Sequence, residues 1–294
     1  MIGIGMSISM GTLPPAWTPR ALFTGAAVGA WFDPSDISTL FQGGSARSHV
    51  TAPGQTVGTV LDRAANLARG PELAVNGNFS NGLSGWTNVG GWYSVVDGRA
   101  YHPLSANFRE LRQDFTGLTG AYEVRFAAEV LSGSVAFGWH DNPVTSAQVV
   151  SFGVGAHVFC GIAARGLTLG QFSRASATEF YIDNVSVRAV PGFHANNRTS
   201  AQQPLYQASG GLAWLASDLV DDVLPATLPN LGTSATVWFA TATGTTILTG
   251  QTVSGAFNLL RGAQTYAVGA INRALSGPET TALTAYLNRK RGAP

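Results

Sequence analysis

The residue types of this chain suggest two kinds of chemistry: aromatic platforms set beside polar groups, and a sparse set of oxygen donors. Trp139-His140-Asp141-Asn142-Pro143 ends an apolar run and enters a loop, where an indole, an imidazole and a carboxylate can converge on one ligand. The C–H face of a pyranose packs on such a ring while polar neighbours read its hydroxyls. Trp92, Tyr93 and Tyr101 offer rings for the same work. Trp92 and Tyr93 are adjacent in a strand-like run, so they face opposite ways and one groove takes at most one of them. For each ring, core packing competes with ligand contact. Catalytic chemistry finds no comparable footing. His49, His102, His140, His157 and His194 are scattered without metal-ligand spacing, and no nucleophile elbow or phosphate-binding loop occurs. The chain therefore reads as a binding protein and not an enzyme. Cys160, the only cysteine, excludes an intramolecular disulfide and a cysteine-based zinc site. Within the apolar run 158–162 it is expected to be a buried, inert thiol.

The surroundings of these residues are poor in charge. Only 11% of the 294 residues are charged, 17 basic against 16 acidic, which leaves no footprint for nucleic acid or an anionic membrane. No apolar run reaches the length of a membrane helix. A surface this neutral favours coverage in an assembly.

The elements that must position the candidates are mostly strands. Ile2, Ile4, Met6, Ile8 and Met10 alternate with Gly and Ser, the period of an extended strand, and Pro14, Pro15 and Pro19 close it. Residues 1–19 are thus expected to be an arm for attachment or oligomerisation by strand addition. In residues 20–70, Asp33-Pro34-Ser35-Asp36 predicts a helix start, with Asp33 as N-cap over Ile37–Gln42. Residues 71–190 read as short strands joined by Gly and Asn turns. Asp97-Gly98 signals a hairpin, and Tyr122, Val124, Phe126 and Ala128 alternate with Glu123, Arg125, Ala127 and Glu129. Seven or eight such strands without a helical pattern predict a β-sandwich or jelly roll. Residues 191–294 carry loops, further short strands and one terminal helix. Ser276 and Glu279 form a capping box, Ala282, Leu283, Tyr286 and Leu287 a stripe, and Arg289, Lys290 and Arg291 complement the dipole before Gly292. The fold class is all-β.

Two resemblances refine this reading. Residues 72–86, ending Asn76-Gly77-Asn78-Phe79-Ser80-Asn81-Gly82-Leu83-Ser84-Gly85-Trp86, resemble the opening of galactose-binding-like jelly rolls of the family 4/9 carbohydrate-binding modules. Residues 179–187, with Tyr181-Ile182-Asp183-Asn184-Val185, resemble their closing strand. That resemblance implies a structural calcium held by Glu72, Asn78 and Asp183, with oxygen donors suited to a hard cation. Residues 30–42, 57–62, 199–206 and 274–292 are similar to segments of tailed-bacteriophage fibre proteins. In those proteins the Leu-Asp segment, here Leu61-Asp62, runs straight on to a His-Ala segment, here His194-Ala195. This implies a jelly roll (71–190) inserted into a second small β module (20–70 and 191–294), and it places Asp218, Asp221 and Asp222 in a turn. It further implies a fibre or spike subunit located in the virion. The expected partners are copies of itself as a trimer, other virion proteins and host cell-surface polysaccharide. The alternatives are a bacterial carbohydrate-active enzyme or its accessory module, and a decoration protein that binds no sugar.

Overall fold

The computed structural model describes residues 17–43, 48–65, 67–105, 109–113, 115, 120–139, 148–163, 167–171 and 177–293. The alternating residues Ile2, Ile4, Met6, Ile8 and Met10 lie outside this set, as do His140 and Asp141.

Among the described residues the strands form four antiparallel sheets, arranged as two sandwiches. The strands of residues 87–190 make two five-stranded sheets. One runs Gly155–Ala163, Ala121–Ser132, Thr178–Val190, Arg99–Ser105, Ser94–Val96. The other runs Gln148–Phe152, Val135–Trp139, Leu167–Gln171, Arg109–Gln113, Thr87–Val89. Strand Ala121–Ser132 obeys the period of two: Tyr122, Val124, Phe126, Ala128 and Val130 are buried, while Arg125 and Leu131 are exposed. Glu123 belongs to the outer set yet is also buried. Arg69 reaches it through Nε at 2.9 Å and Nη2 at 2.6 Å, and Arg125 at 2.9 Å, so the carboxylate is dehydrated only where cations replace the water. Asp97 and Gly98, at φ 50° and 72°, form the expected hairpin turn between Ser94–Val96 and Arg99–Ser105. The opening and closing segments of this jelly roll are in contact. The Leu73 N–H donates to Val187 O at 2.9 Å and the Val185 N–H to Gly77 O at 2.9 Å. A Cβ on Gly77 would stand 1.9 Å from Val185 O, so glycine alone permits that approach.

The second sandwich takes strands from both sides of the first. Thr59–Val60 pairs with Ala195–Asn196, so the chain leaves and re-enters at neighbouring strands of one sheet. Asp62 and His194 secure the junction. The Asp62 carboxylate accepts from the N–H groups of Trp31 (2.9 Å), Ala64 (2.8 Å) and Phe193 (3.0 Å). Its own N–H donates to His194 Nδ1 at 2.9 Å, and His194 Nε2 then donates to Val190 O at 2.9 Å. Phe41, Leu61, Ile162 and Val190 form a small apolar cluster between the sandwiches. The core of the second sandwich lies between the sheet that contains Gln264–Ile271 and the sheet that contains Pro225–Leu228. On the other face of the former sheet lies the helix Gly277–Lys290, which buries Leu283, Tyr286 and Leu287 against Trp31, Trp238 and Ala267. Each such side chain contributes about 1.5–3 kcal/mol of burial. The capping box forms as expected, and Gly292 follows the helix at φ 72°.

Asp33 departs from its expected role. Only a 3-10 turn follows, Ile37–Thr39 with Asp36 as its cap, and Leu40–Phe41 is already strand. The Asp33 carboxylate keeps the local bond, accepting from Ser35 (N–H at 3.0 Å, Oγ at 2.7 Å) on Oδ1, but no helix grows from that turn. Buried, it also accepts on Oδ2 from Tyr286 Oη (2.6 Å), Lys290 Nζ (2.7 Å) and Arg63 Nη1 (3.0 Å). The basic residues at the helix end therefore do more than complement the dipole. Lys290 pairs with Asp33, and Arg291 donates to Thr241 O and Ala242 O. Cys160 is half-buried rather than buried: its strand parity sets it on the outer face beside His49, Sγ to Nε2 3.5 Å, while its neighbour Phe159 fills the core. Burial and the nearby Glu123 push the thiol pKa up, so it stays protonated and unreactive.

Candidate functional site

The outer face of the jelly-roll sheet made by Arg99–Ser105, Thr178–Val190, Ala121–Ser132 and Gly155–Ala163 presents aromatic and charged side chains together. Tyr181 is paired in register with Tyr101 on one side and with Glu129 on the other. Phe180 and Ile182, one residue either way, are fully buried, so parity alone turns Tyr181 outward. The Tyr101 and Tyr181 rings lie 4.8 Å apart at 33°. Arg99 leans from its strand across the Tyr181 ring, its guanidinium carbon 4.0 Å from the centroid, to reach Glu129 Oε2 at 2.6 Å. Tyr101 Oη donates to Glu179 Oε1 at 2.5 Å, and this bond holds the phenol protonated, its pKa pushed up to about 12. Beside the pair lies a shallow cavity of about 330 Å³, lined by Arg99, Glu129, Val158, Tyr181 and Asp183 among others. Val158 is 85% exposed on its rim. The arrangement gathers two aromatic rings, an apolar rim, one guanidinium and three carboxylates on one sheet face, groups of the kind that recognise a polyhydroxylated ligand.

The expected ring residues divide. Tyr101 belongs to this face. Trp92 is 42% exposed and lies just before Ser94, the cross-strand partner of Tyr101. Tyr93 is a core residue, its ring 5.1 Å from His102 and 6.1 Å from Phe180, so it is not available to a surface ligand. Neither Trp92 nor Tyr93 is itself in a strand, which starts at Ser94. Trp139 ends strand Val135–Trp139, whereas His140 and Asp141 lie outside the described residues. Sequence reading did not single out Tyr181, Arg99, Glu129 and Glu179, which the structure brings onto this face. The signal was present in the closing strand, where Glu179, Tyr181 and Asp183 alternate with Phe180 and Ile182.

Glu72, Asn78 and Asp183 do not fit a calcium site as they stand. Glu72 accepts from the N–H groups of Leu73, Ala74 and Val187, from Ser186 Oγ at 2.6 Å and from Arg188 Nε at 3.2 Å. A carboxylate ringed by donors and a guanidinium has no lone pair directed at a cation. Asn78 Oδ1 accepts from Ser80, and Asp183 from Asn184. Glu72 is instead a clasp joining the opening segment to the closing strand. Among the described residues Asp218, Asp221 and Asp222 bring carboxylate oxygens within 4.8 Å of one another. They sit in a loop whose own N–H groups they accept from, as with Val220 to Asp218 and Asp218 to Asp222, both at 2.9 Å.

No family model and no curated protein matches the chain. Similar solved structures include a family 4 carbohydrate-binding module, 19% identical over 39% of this chain and 97% of that one, with a TM-score of 0.30. A variant of a family 29 carbohydrate-binding module is 14% identical over 36% of this chain and 82% of that one, TM-score 0.28. The tandem family 22 modules of Paenibacillus barcinonensis Xyn10C are 11% identical over 74% of this chain and 96% of that one, TM-score 0.35. These similarities are weak, and the sandwich architecture rests on the strand order given above.

Proposed function

We propose that this chain binds glycan through the Tyr101–Tyr181 face of its jelly roll, without catalysis. The observation that carries this is the aromatic pair on an outward-facing sheet, with the Arg99 guanidinium laid over Tyr181 and paired with Glu129. There aromatic and guanidinium surfaces can pack on sugar C–H groups, and the charges can accept from and donate to hydroxyls. The wider reading is a virion fibre or spike subunit of a tailed bacteriophage that meets host-surface polysaccharide. It is supported by the resemblance of residues 30–42, 57–62, 199–206 and 274–292 to fibre proteins and by the alternating residues 2–10. On this reading the chain assembles with itself, as a trimer, and with other virion proteins through residues 1–19.

Screening the full chain against a glycan array, followed by calorimetry on the strongest ligand, tests the site. Tyr181→Ala is expected to weaken binding at least tenfold while leaving the melting temperature within a few degrees. Binding that survives Tyr181→Ala and Arg99→Ala together would place the ligand elsewhere, and no glycan binding at all would remove the reading. Light scattering of the full chain beside a form lacking residues 1–19 tests assembly: a defined oligomer that becomes monomeric supports the arm, and an unchanged oligomer refutes it.

A further inference from the structure

At the open edge of the second sandwich, between strands Gly244–Gln251 and Gly255–Asn258, lies a cavity of about 420 Å³. Phe239, Thr252, Ser254, Phe257 and Arg261 are among its walls. Arg261 is held there firmly. Its N–H donates to Thr265 Oγ1 at 2.9 Å, and the Asn258 side chain fixes the same loop by accepting from Leu224 and Leu260. The guanidinium carbon lies 4.6 Å from the Phe257 ring centroid and 5.7 Å from that of Phe239.

This guanidinium differs from those held by a carboxylate and from that of Arg291, which donates to two carbonyls. Arg63 is paired with Asp33, Arg69 with Glu123 and Arg273 with Glu279. Among the described residues no carboxylate pairs with Arg261, and its Nε is buried without a hydrogen-bond partner. Burial pushes its pKa down with no acid acting against that. Two phenyl rings recover part of the lost hydration through their π faces but leave the in-plane N–H groups unused. Those groups form a planar fork whose best complement is a carboxylate. We infer that this cavity is an anion site in which Arg261 receives a carboxylate, with the Thr252 and Ser254 hydroxyls available to the rest of the ligand. The site is remote in sequence from the Tyr101–Tyr181 face and is independent of the reading given for it.

The carboxylate can come from a uronic acid within a polymer or from a free small acid, and the probes separate the two. The full chain, labelled with ¹⁵N, is titrated with acetate, glucuronate, oligogalacturonate and a neutral oligosaccharide at constant ionic strength, while the arginine Nε–Hε signals are followed. The expected result is a saturable shift of the Arg261 signal with the carboxylate probes and none with the neutral one. Tighter binding of oligogalacturonate than of glucuronate, beyond its number of carboxylates, assigns a polymer; equal binding per carboxylate assigns a small acid. Arg261→Met should abolish the binding, and Arg261→Lys, which keeps the charge but loses the fork, should weaken it about tenfold. The inference is overturned if no carboxylate probe moves the Arg261 signal, or if Arg261→Met binds as tightly as the unaltered chain. Should Arg261→Met fail to fold, the titration of the unaltered chain decides alone.

Discussion

Replacing Asp33 by Asn tests how the terminal helix is held to the second sandwich. Asp33 is 1% exposed and accepts from Tyr286, Lys290 and Arg63 within 3.0 Å, so a single carboxylate neutralises two cations and satisfies a buried phenol. Removing one member of a buried ion pair costs about 3–5 kcal/mol, because the partner charge is left uncompensated. Here Arg63 keeps a second carboxylate, Asp36 at 3.3 Å, and the Arg63 and Lys290 side chains remain 25% and 23% exposed, so counter-charge and water recover part of that loss. The expected cost of Asp33→Asn is therefore about 2–4 kcal/mol at neutral pH. Burial raises the Asp33 pKa, but Lys290, Tyr286 and Ser35 act against it and hold the carboxyl below its ordinary 3.8. A depressed folded pKa means that the carboxylate's contribution is complete above about pH 4 and is lost as acid carries the protein down through the folded value. Urea unfolding followed by tryptophan fluorescence at pH 7 and at pH 3 should thus show a wide gap between the two proteins that narrows in acid. A cost below about 1 kcal/mol at pH 7, or a gap that stays constant with pH, would refute the argument.

Other consequences are open to direct measurement. Asp62 is buried, and desolvation lifts its carboxyl to about 6 despite three backbone N–H donors. Its protonated form is thus favoured by folding, and stability on the order of 3 kcal/mol is present below pH 4 and lost as pH rises through 6. Carboxyl ¹³C titration should give that midpoint, and Asp62→Asn should lack this pH dependence. A Cβ on Gly269 would stand 2.5 Å from the Trp238 ring and 2.8 Å from Ala30 O, so Gly269→Ala should cost about 1–3 kcal/mol and lower the melting temperature. Glu72→Gln, which trades an acceptor for a donor among groups that already donate, should cost about 1–3 kcal/mol. Millimolar calcium should leave the melting temperature of the unaltered chain where it is, and a rise of several degrees would restore Glu72 as a metal ligand.

What is local and periodic was legible in the order of residues alone. Alternation in residues 121–130 settled which side chains enter the jelly-roll core, Asp97-Gly98 settled a hairpin, and Ser276 with Glu279 settled where the terminal α-helix begins. Each depends on backbone geometry within a few residues, so composition and spacing suffice to read it. Long-range pairing decided the rest. Arg99, Glu129 and Tyr181 form one face only because Thr178–Val190 inserts between Arg99–Ser105 and Ala121–Ser132. Tyr93 and Tyr101 carry similar rings, yet Tyr101 is turned outward by strand parity between buried Ala100 and His102, whereas Tyr93, ahead of the strand, is core because its ring packs on His102 and Phe180. Asp33 is a cap by its neighbours in sequence. In the fold it keeps the Ser35 bonds on Oδ1 and is also a buried counter-ion, because the terminal helix brings Tyr286 and Lys290 onto Oδ2. A pattern of residue types can fix the face a side chain presents, but its partner is chosen by which strands and helices pack together, and that choice is made by the core as a whole.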